Sequence, residues 1–129
     1  MKSIVGTWKL IKTSSTGADG SVMPPPYGGE AALGVVTFDP DGRMVAALYN
    51  GSADLPAGKT REFNSYCGAY TYDGESLCTK VDASSNQAWL NSEQVREVAF
   101  EGELMVLKPP LRAYASQPEQ RVLYWRKLG

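Results

Sequence analysis

Arg96 is the side chain in this sequence best suited to binding an anion. It lies in the segment SEQVREVAF, where the alternation of a strand puts Gln94, Arg96 and Val98 on one face. If that face points inward, the guanidinium can bind a ligand carboxylate or enolate through two hydrogen bonds, or stabilise negative charge that develops in a reaction. Neither face of the segment is cleanly apolar, so the alternative, a solvated arginine on the outer surface, stays open.

Tyr66 and Tyr70 form a second group of candidate binding residues, and Tyr70 is also a candidate catalytic group. They flank Gly68 on the more apolar and aromatic face of one segment, so we predict that this face points inward. Each tyrosine would then offer an apolar ring and a hydroxyl to an enclosed ligand. Alternatively, both are core or rim tyrosines. Gly68 predicts a bulge or the close approach of another group.

Three further candidates lie in segments without strand alternation. Tyr27 follows three prolines, and such a loop acts either as an aromatic lid or as an ordinary surface loop. Trp89 has no periodic apolar partner, so it caps the mouth of a pocket or anchors its own loop. Glu62, between Arg61 and Phe63, is the carboxylate nearest the predicted pocket entrance and the one candidate for a general base.

The absence of histidine excludes several kinds of chemistry. With no histidine among 129 residues, the chain has no serine triad, no cysteine–histidine dyad, no histidine-liganded zinc and no imidazole acid–base catalyst. It also contains no phosphate-binding glycine loop, dinucleotide fingerprint, calcium loop or CxxC pair. The sequence therefore predicts that the protein uses no metal and no cofactor.

Cys67 and Cys78 lie on either side of the turn signal Asp73-Gly74. If Tyr72 faces Glu75 across a two-residue turn, the cysteines sit diagonally, about 7 to 8 Å apart in backbone position, which is too far for a disulfide. We therefore predict two free thiols. Without a basic partner, these thiols are suited to packing rather than to nucleophilic catalysis.

The charge balance and the apolar pattern limit the partners and the location that we expect. The chain has 13 Lys and Arg against 14 Asp and Glu, which is too balanced for a nucleic-acid or anionic-lipid surface. No signal peptide is visible in the first twelve residues, and no segment approaches the roughly 20 apolar residues of a spanning helix. We therefore expect one cytoplasmic domain spanning residues 1–129 without nucleic-acid or membrane partners. The sequence does not decide the oligomeric state of this domain, and it allows a homodimer.

Apolar and polar residues alternate in eight short segments bounded by Gly, Pro, Asn or Asp, which is typical of antiparallel strands. The stretch 51–64 lacks this alternation and holds at most a short helix beginning near Lys59. Eight strands in nearest-neighbour order remove both sheet edges by closing. The fold class is therefore all-β, an antiparallel up-and-down eight-stranded barrel able to enclose one small ligand. The predicted strands are residues 4–13, 33–39, 43–49, 65–73, 76–82, 93–100, 103–108 and 119–128.

Several motifs of the chain carry a family resemblance. Gly6-Thr7-Trp8 on the first strand and Arg126 on the last look like the GxW motif and terminal arginine of lipocalins, in which the indole closes the barrel floor and the guanidinium packs across it. Together with the other motifs, the chain resembles the short lipocalin-like domain proteins of bacteria and fungi. Those other motifs are Pro26-Tyr27-Gly28, the FDPDGRM hairpin at 38–44, the YCGAY segment at 66–70, Asp73-Gly74, Trp89, the QVR run at 94–96 and Trp125-Arg126.

The resemblance implies a calycin-like barrel with a central pocket and with Trp8 and Arg126 at its floor. Relatives often carry histidines near the positions that Thr79 and Lys80 occupy here, so a histidine-dependent role does not transfer to this chain. The resemblance implies no single reaction, although a few similar small barrels act as cyclases or isomerases.

The function that we expect is binding of a small, partly apolar organic molecule inside the barrel. Ten Trp and Tyr residues against three Phe suit a pocket that also forms hydrogen bonds with its ligand. The alternative is a cofactor-independent isomerase or cyclase acting on a polyketide, terpenoid or related secondary metabolite, with tyrosine hydroxyls and Arg96 stabilising charge. A third interpretation is an interaction domain whose interior is filled by side chains.

Overall fold

Eight long antiparallel strands close on themselves to form a barrel in the computed structural model, which describes residues 1–113 and 117–129. The strands are β1 (Gly6–Gly17), β2 (Ala32–Phe38), β3 (Arg43–Asn50), β4 (Phe63–Tyr72), β5 (Ser76–Ser84), β6 (Glu93–Glu101), β7 (Leu104–Lys108), β8 (Arg112–Ala113) and β9 (Pro118–Lys127). Neighbours follow chain order from β1 to β7, β9 pairs with β7, and β1 pairs with β9 to close the sheet. The two-residue β8 adds only to the start of β9. The predicted up-and-down eight-stranded barrel is confirmed.

The two ends of the barrel differ in the length of their connections. Tight hairpins join β2 to β3, β4 to β5 and β6 to β7 at one end, which we call the closed end. The longer connections from β1 to β2, β3 to β4, β5 to β6 and β7 to β9 lie at the other end, which we call the open end. Loops carried on a rigid sheet are the usual place for binding groups, so the open end is where a site is expected.

Asp39 forms the first of the closed-end hairpins. Its carboxylate oxygen Oδ1 accepts hydrogen bonds from the backbone N–H groups of Asp41 and Arg43, both at 2.9 Å. Gly42 has a φ of 91°, a conformation that glycine adopts without steric cost. This turn explains the presence of Asp39 and Asp41, so neither aspartate needs a functional role.

The β4–β5 hairpin has a different register from the predicted one. Tyr72 pairs with Leu77 rather than with Glu75, because the side chain of Asp73 accepts the N–H groups of Glu75 and Ser76 at 2.9 and 2.7 Å and widens the turn. A shift of two residues keeps every side chain on its predicted face. Tyr66, Gly68 and Tyr70 therefore still point inward, as do Leu77, Thr79 and Val81.

The same register keeps Cys67 and Cys78 apart. Cys78 pairs with Thr71 and Cys67 with Ala83, so the two cysteines lie about four residues, or roughly 13 Å, apart along the sheet. Both thiols are free, as predicted. Burial, with a smaller contribution from Glu93, raises the pKa of the Cys78 thiol, which keeps it protonated and unreactive.

No helix forms near Lys59, where the sequence allowed at most a short one. Residues 51–62 contain turns and bends but no helix, and the N–H of Lys59 donates to the carbonyl of Pro56 at 3.1 Å in a single turn. Gly58, with a φ of 77°, takes a left-handed conformation that ends the turn.

Apolar side chains fill the closed end of the barrel. Trp8 and Trp125 are each 2% exposed, and Ile4, Phe38 and Met105 are buried at least as deeply. Trp8 lies on β1 opposite Val36, whereas Trp125 on β9 lies opposite Leu10 and Met105. These side chains form the floor under the central space of the barrel.

Gly68 lies on β4 beside a bulge in β5, at a point where the two strands come very close. The pairing with β5 slips between Cys67 and Gly68, and a Cβ placed at Gly68 would overlap the backbone carbonyl of Lys80. We expect Gly68→Ala to lower the free energy of unfolding by about 1 to 3 kcal/mol, measured by urea denaturation, because the sheet must shift to make room. Thr71→Ala, on the exposed face of the same strand, is the control. Equal stability of the two variants would contradict the close approach.

Candidate functional site

The barrel encloses a cavity of about 430 Å³ between its floor and its open end. This volume falls within the range of small-molecule sites in proteins. Its deeper wall is apolar and comes mainly from the inward faces of the strands, including Val36, Met44, Leu77, Leu107 and Leu123. The groups toward the open end are polar, so the cavity combines an apolar interior with a polar mouth.

Arg96 is buried in the wall of this cavity. On β6 the residues Gln94, Arg96 and Val98 are buried and Val95 is exposed, so the face that the sequence left open points inward. The guanidinium donates to the carbonyl of Val95 at 2.9 Å and to the side-chain oxygen of Gln94 at 3.2 Å. Among the residues that the structure describes, no carboxylate pairs with it. A buried cation held only by neutral acceptors is a ready site for an anion.

The mouth of the cavity carries further charge. Arg121 and Glu119 form an ion pair at 3.3 Å, and Glu119 also accepts a hydrogen bond from Ser15. Glu62, the predicted candidate base, lies at the rim with its Oε2 3.9 Å from Arg121. Arg112 also lines the cavity. Among the described residues, the lining thus contains three arginines and the carboxylate of Glu62, and Glu119 pairs with one of the three, Arg121.

The loop of Tyr27 closes over part of the open end. Tyr27 is 5% exposed and has a left-handed φ of 56°, which is strained for a residue with a side chain. Its N–H donates to Glu62 at 2.9 Å, and its phenol oxygen accepts from Asn64 at 2.7 Å. Burial raises the pKa of the Tyr27 phenol, so this group is a neutral hydrogen-bond donor. The structure thus uses Glu62 to hold the Tyr27 loop.

Tyr66 and Trp89 form an aromatic pair at the rim. Their rings meet edge to face, with centroids 5.4 Å apart and an interplanar angle of 83°. Trp89 ends a short 3₁₀ turn, Gln87–Trp89, in which the N–H of Ala88 donates to the side-chain oxygen of Asn86. Both aromatic residues line the cavity, so the structure brings them together with Tyr27, Glu62 and Arg96.

The comparisons with known proteins identify the family. A family model described as the lipocalin-like domain matches residues 5–128. The chain belongs to this family. A crystal structure of an uncharacterized protein from Bacteroides eggerthii DSM 20697 aligns with 98% of this lipocalin-like domain and 100% of its own chain, at 16% sequence identity and a TM-score of 0.47. A search of curated proteins found no match.

In this lipocalin-like domain, the cation that packs on Trp8 at the barrel floor is not the one that the sequence predicted. Trp8 is buried, and its indole N–H donates to the carbonyl of Ile4 at 2.9 Å. The placement of Arg126 at the floor is wrong, because Arg126 is exposed on the outer face opposite Lys9. The cation over the Trp8 ring is the Nζ of Lys127, at 5.8 Å from the ring centroid. Lys127 pairs with Trp8 across the two strands and therefore shares its face.

The expected role of Tyr70 in the site also needs correction. Tyr70 points inward, but it lies four residues beyond Tyr66 toward the closed end and does not line the cavity. Its ring packs edge to face on Phe38 at 5.2 Å, and its hydroxyl donates to the carbonyl of Asp39 at 2.7 Å. Tyr70 is therefore a structural residue that secures the β2–β3 hairpin.

Tyr70→Phe is expected to lower the free energy of unfolding by about 1 kcal/mol, because it removes one hydrogen bond and leaves the ring in place. Chemical denaturation measures this change. In a ¹H–¹⁵N spectrum, the shifts should change around the hairpin at 38–43 and leave the indole signal of Trp125 unmoved. A shift of that signal would place Tyr70 in contact with the cavity after all.

Trp125 lines the cavity and was not singled out as a site residue from the sequence. The alternation along β9 places it on the same face as Leu123, and that signal is sufficient to find it. Its Nε1–H is buried and has no hydrogen-bond partner among the described residues. No sequence pattern indicates this, because the groups that surround Trp125 belong to strands distant in the chain.

The described residues, 1–113 and 117–129, contain neither a cluster of metal ligands nor a helix that could span a membrane. Within them, no three His, Cys, Asp or Glu side chains come together as metal ligands would. The same residues form no helix with the length and apolar character needed to cross a membrane.

Proposed function

We propose that this lipocalin-like domain binds a small, partly apolar organic anion inside its barrel. The observation that carries the proposal is Arg96, a buried cation without a carboxylate partner among the described residues, in the wall of a cavity of about 430 Å³. A ligand carboxylate or enolate placed there would form charge-assisted hydrogen bonds with the guanidinium. The apolar wall would take the rest of the molecule.

The other cavity residues fit the same ligand. Tyr66 and Trp89 provide aromatic surface at the rim, and Tyr27 provides a neutral donor. An interior filled by side chains, as in an interaction domain, does not fit a cavity of this volume.

Native mass spectrometry of the protein purified from its own host tests the proposal. We expect an added mass of a few hundred daltons that disappears on denaturation, and an acidic compound in the released fraction. The Arg96→Met variant should lose most of this added mass, whereas Arg126→Met, which changes an arginine on the outer face, should keep it. Equal loading of both variants, or a neutral compound, would contradict the anion site.

The same experiment addresses catalysis. An isomerase or cyclase would release a compound that differs in connectivity or ring closure from the molecule supplied to it. We therefore expect incubation of the released compound with fresh protein to return it unchanged if binding is the whole function. Conversion to an isomer would instead assign the cavity to the enzyme alternative, with Arg96 stabilising the negative charge.

A further inference from the structure

The outer face of β2, β3 and β4 carries apolar side chains that are open to solvent. The strand pairing places the outward residues of these three strands in three rows of three, and none of them is charged. The rows are Leu33 with Tyr49 and Phe63, Val35 with Ala47 and Ser65, and Thr37 with Val45 and Cys67. We call these residues the wall patch. Its five large apolar side chains are each between 41% and 54% exposed.

The outer faces of other strands carry charge instead. Exposed charged side chains include Lys9 on β1, Lys80 and Asp82 on β5, Glu97 on β6 and Arg126 on β9. Such charges are usual on the side of a strand that faces water. A contiguous apolar face without them is typical of a surface that packs against another molecule.

The area of the wall patch suits an interface between two proteins. Its large apolar side chains leave about 400 Å² of apolar surface in water, the size of a patch that is often functional. Because the core and rim of an interface together are about 60% apolar, a contact centred on this patch covers about 700 Å² on each partner. Stable interfaces bury about 600 to 1,000 Å² on each partner. The wall patch and its polar border are therefore large enough for a stable dimer.

The shape of the wall patch also allows a close contact. Ala47 lies in its middle, between Val35 and Ser65 in its own row, and Tyr49 and Val45 lie in the rows on either side. The wall of a barrel is convex, so a small side chain at the centre lowers the highest point. The larger side chains around Ala47 can then contact a partner at the same time, as the packing of an interface core requires.

Charged groups border the wall patch. Lys9 lies on the neighbouring β1, and the guanidinium carbon of Arg61 lies 5.4 Å from the centroid of the Tyr49 ring. Arg43 and Asp82 form an ion pair at 2.7 Å near its closed-end side. An apolar centre with a charged border of both signs is the usual arrangement of a protein interface.

We propose that the wall patch binds the wall patch of a second copy of this chain, so that the protein is a two-fold symmetric dimer. A two-fold contact requires a surface that is complementary to itself, and an uncharged apolar patch meets this requirement. The axis passes over the middle of the patch, so Ala47 of one copy faces the same residue of the other. None of the patch residues lines the cavity, so the dimer is independent of the proposed ligand site.

Sedimentation equilibrium of the full chain measures the association. For an interface of this size we expect a dissociation constant of about 1 to 100 µM, so the mass should rise from monomer to dimer between about 1 µM and about 500 µM. A monomer throughout this range would overturn the proposal.

Val45→Lys tests whether the wall patch is the contact. The variant buries an unpaired charge in the dimer, so we expect its dissociation constant to rise at least about 10-fold. Val95→Lys makes the same change at another exposed valine, on the outer face of β6, and should associate like the unsubstituted protein. If Val45→Lys still dimerised, or if Val95→Lys weakened the dimer equally, the contact would lie elsewhere on the barrel.

Ala47→Lys and Ala47→Glu test whether the occupant is a second copy. Each variant alone brings two like charges together across the axis and should remain a monomer, whereas an equimolar mixture brings opposite charges together and should restore the dimer. Ala47 is exposed, so neither change alters the core, and circular dichroism checks the fold. A mixture that stays monomeric would overturn the contact of the wall patch with itself, because only that contact places the two charges side by side.

Discussion

Trp8→Ala is expected to lower the free energy of unfolding by about 3 to 5 kcal/mol, the range for removing a large buried aromatic side chain. The indole is 2% exposed, its ring contacts Phe100 with centroids 6.4 Å apart, and its N–H donates to Ile4. The substitution leaves a void at the floor and an acceptor at Ile4 without its donor. Both effects act in the same direction.

Chemical denaturation with far-ultraviolet circular dichroism measures this loss. Trp89→Ala is the matched control, because Trp89 is only partly buried at the rim and its removal should cost far less. The unfolding midpoint of Trp8→Ala should fall well below that of the control. Similar midpoints for the two variants would show that Trp8 does not support the barrel floor.

Arg96→Met is expected to weaken binding of 5-phenylpentanoate by about 10- to 100-fold, or roughly 1.5 to 3 kcal/mol, the range for hydrogen bonds to a charged group. The variant keeps an unbranched apolar side chain of similar length and removes the cation. Binding of 5-phenylpentan-1-ol, which has the same body without the carboxylate, should stay nearly unchanged. Calorimetry on both compounds separates the charge from the packing.

The stability of the same variant provides an independent check. Arg96 is buried against neutral acceptors only, so its replacement should leave the free energy of unfolding unchanged or raise it. Arg126→Met, on the outer face, should alter neither binding nor stability. If Arg96→Met bound the acid as well as the unsubstituted protein, or unfolded far more easily, Arg96 would be a structural residue.

Local pattern explains why so much of the barrel was predictable. In most barrel strands every second side chain is buried, as in β3 and β6, whereas the short β7 is apolar in its first four residues. Glycine or aspartate marks each tight turn. These signals depend on near neighbours, so they identify strands and turns without knowledge of the fold. The stretch near Lys59 could only be limited to at most a short helix, because no alternation was present to decide between a brief helix and a turn.

The site was only partly predictable for a related reason. Alternation with a period of two assigns a residue to a face but not to a height along the barrel. Tyr66 and Tyr70 share the inward face, yet only Tyr66 reaches the cavity, because Tyr70 lies at the closed end against Asp39. The height of a residue along the barrel depends on how the strands pair. The sequence of a single strand does not specify that pairing.

The sequence by itself determined the all-β class, the hairpin positions and the inward face of β4 and β5, since these follow from the local alternation of side chains. Only the tertiary structure decided that Arg96 points inward, that Lys127 rather than Arg126 covers Trp8, and that Trp125 has no acceptor. Each of these depends on contacts between strands distant in the chain. Burial, pairing and the supply of hydrogen-bond partners are properties of the closed barrel.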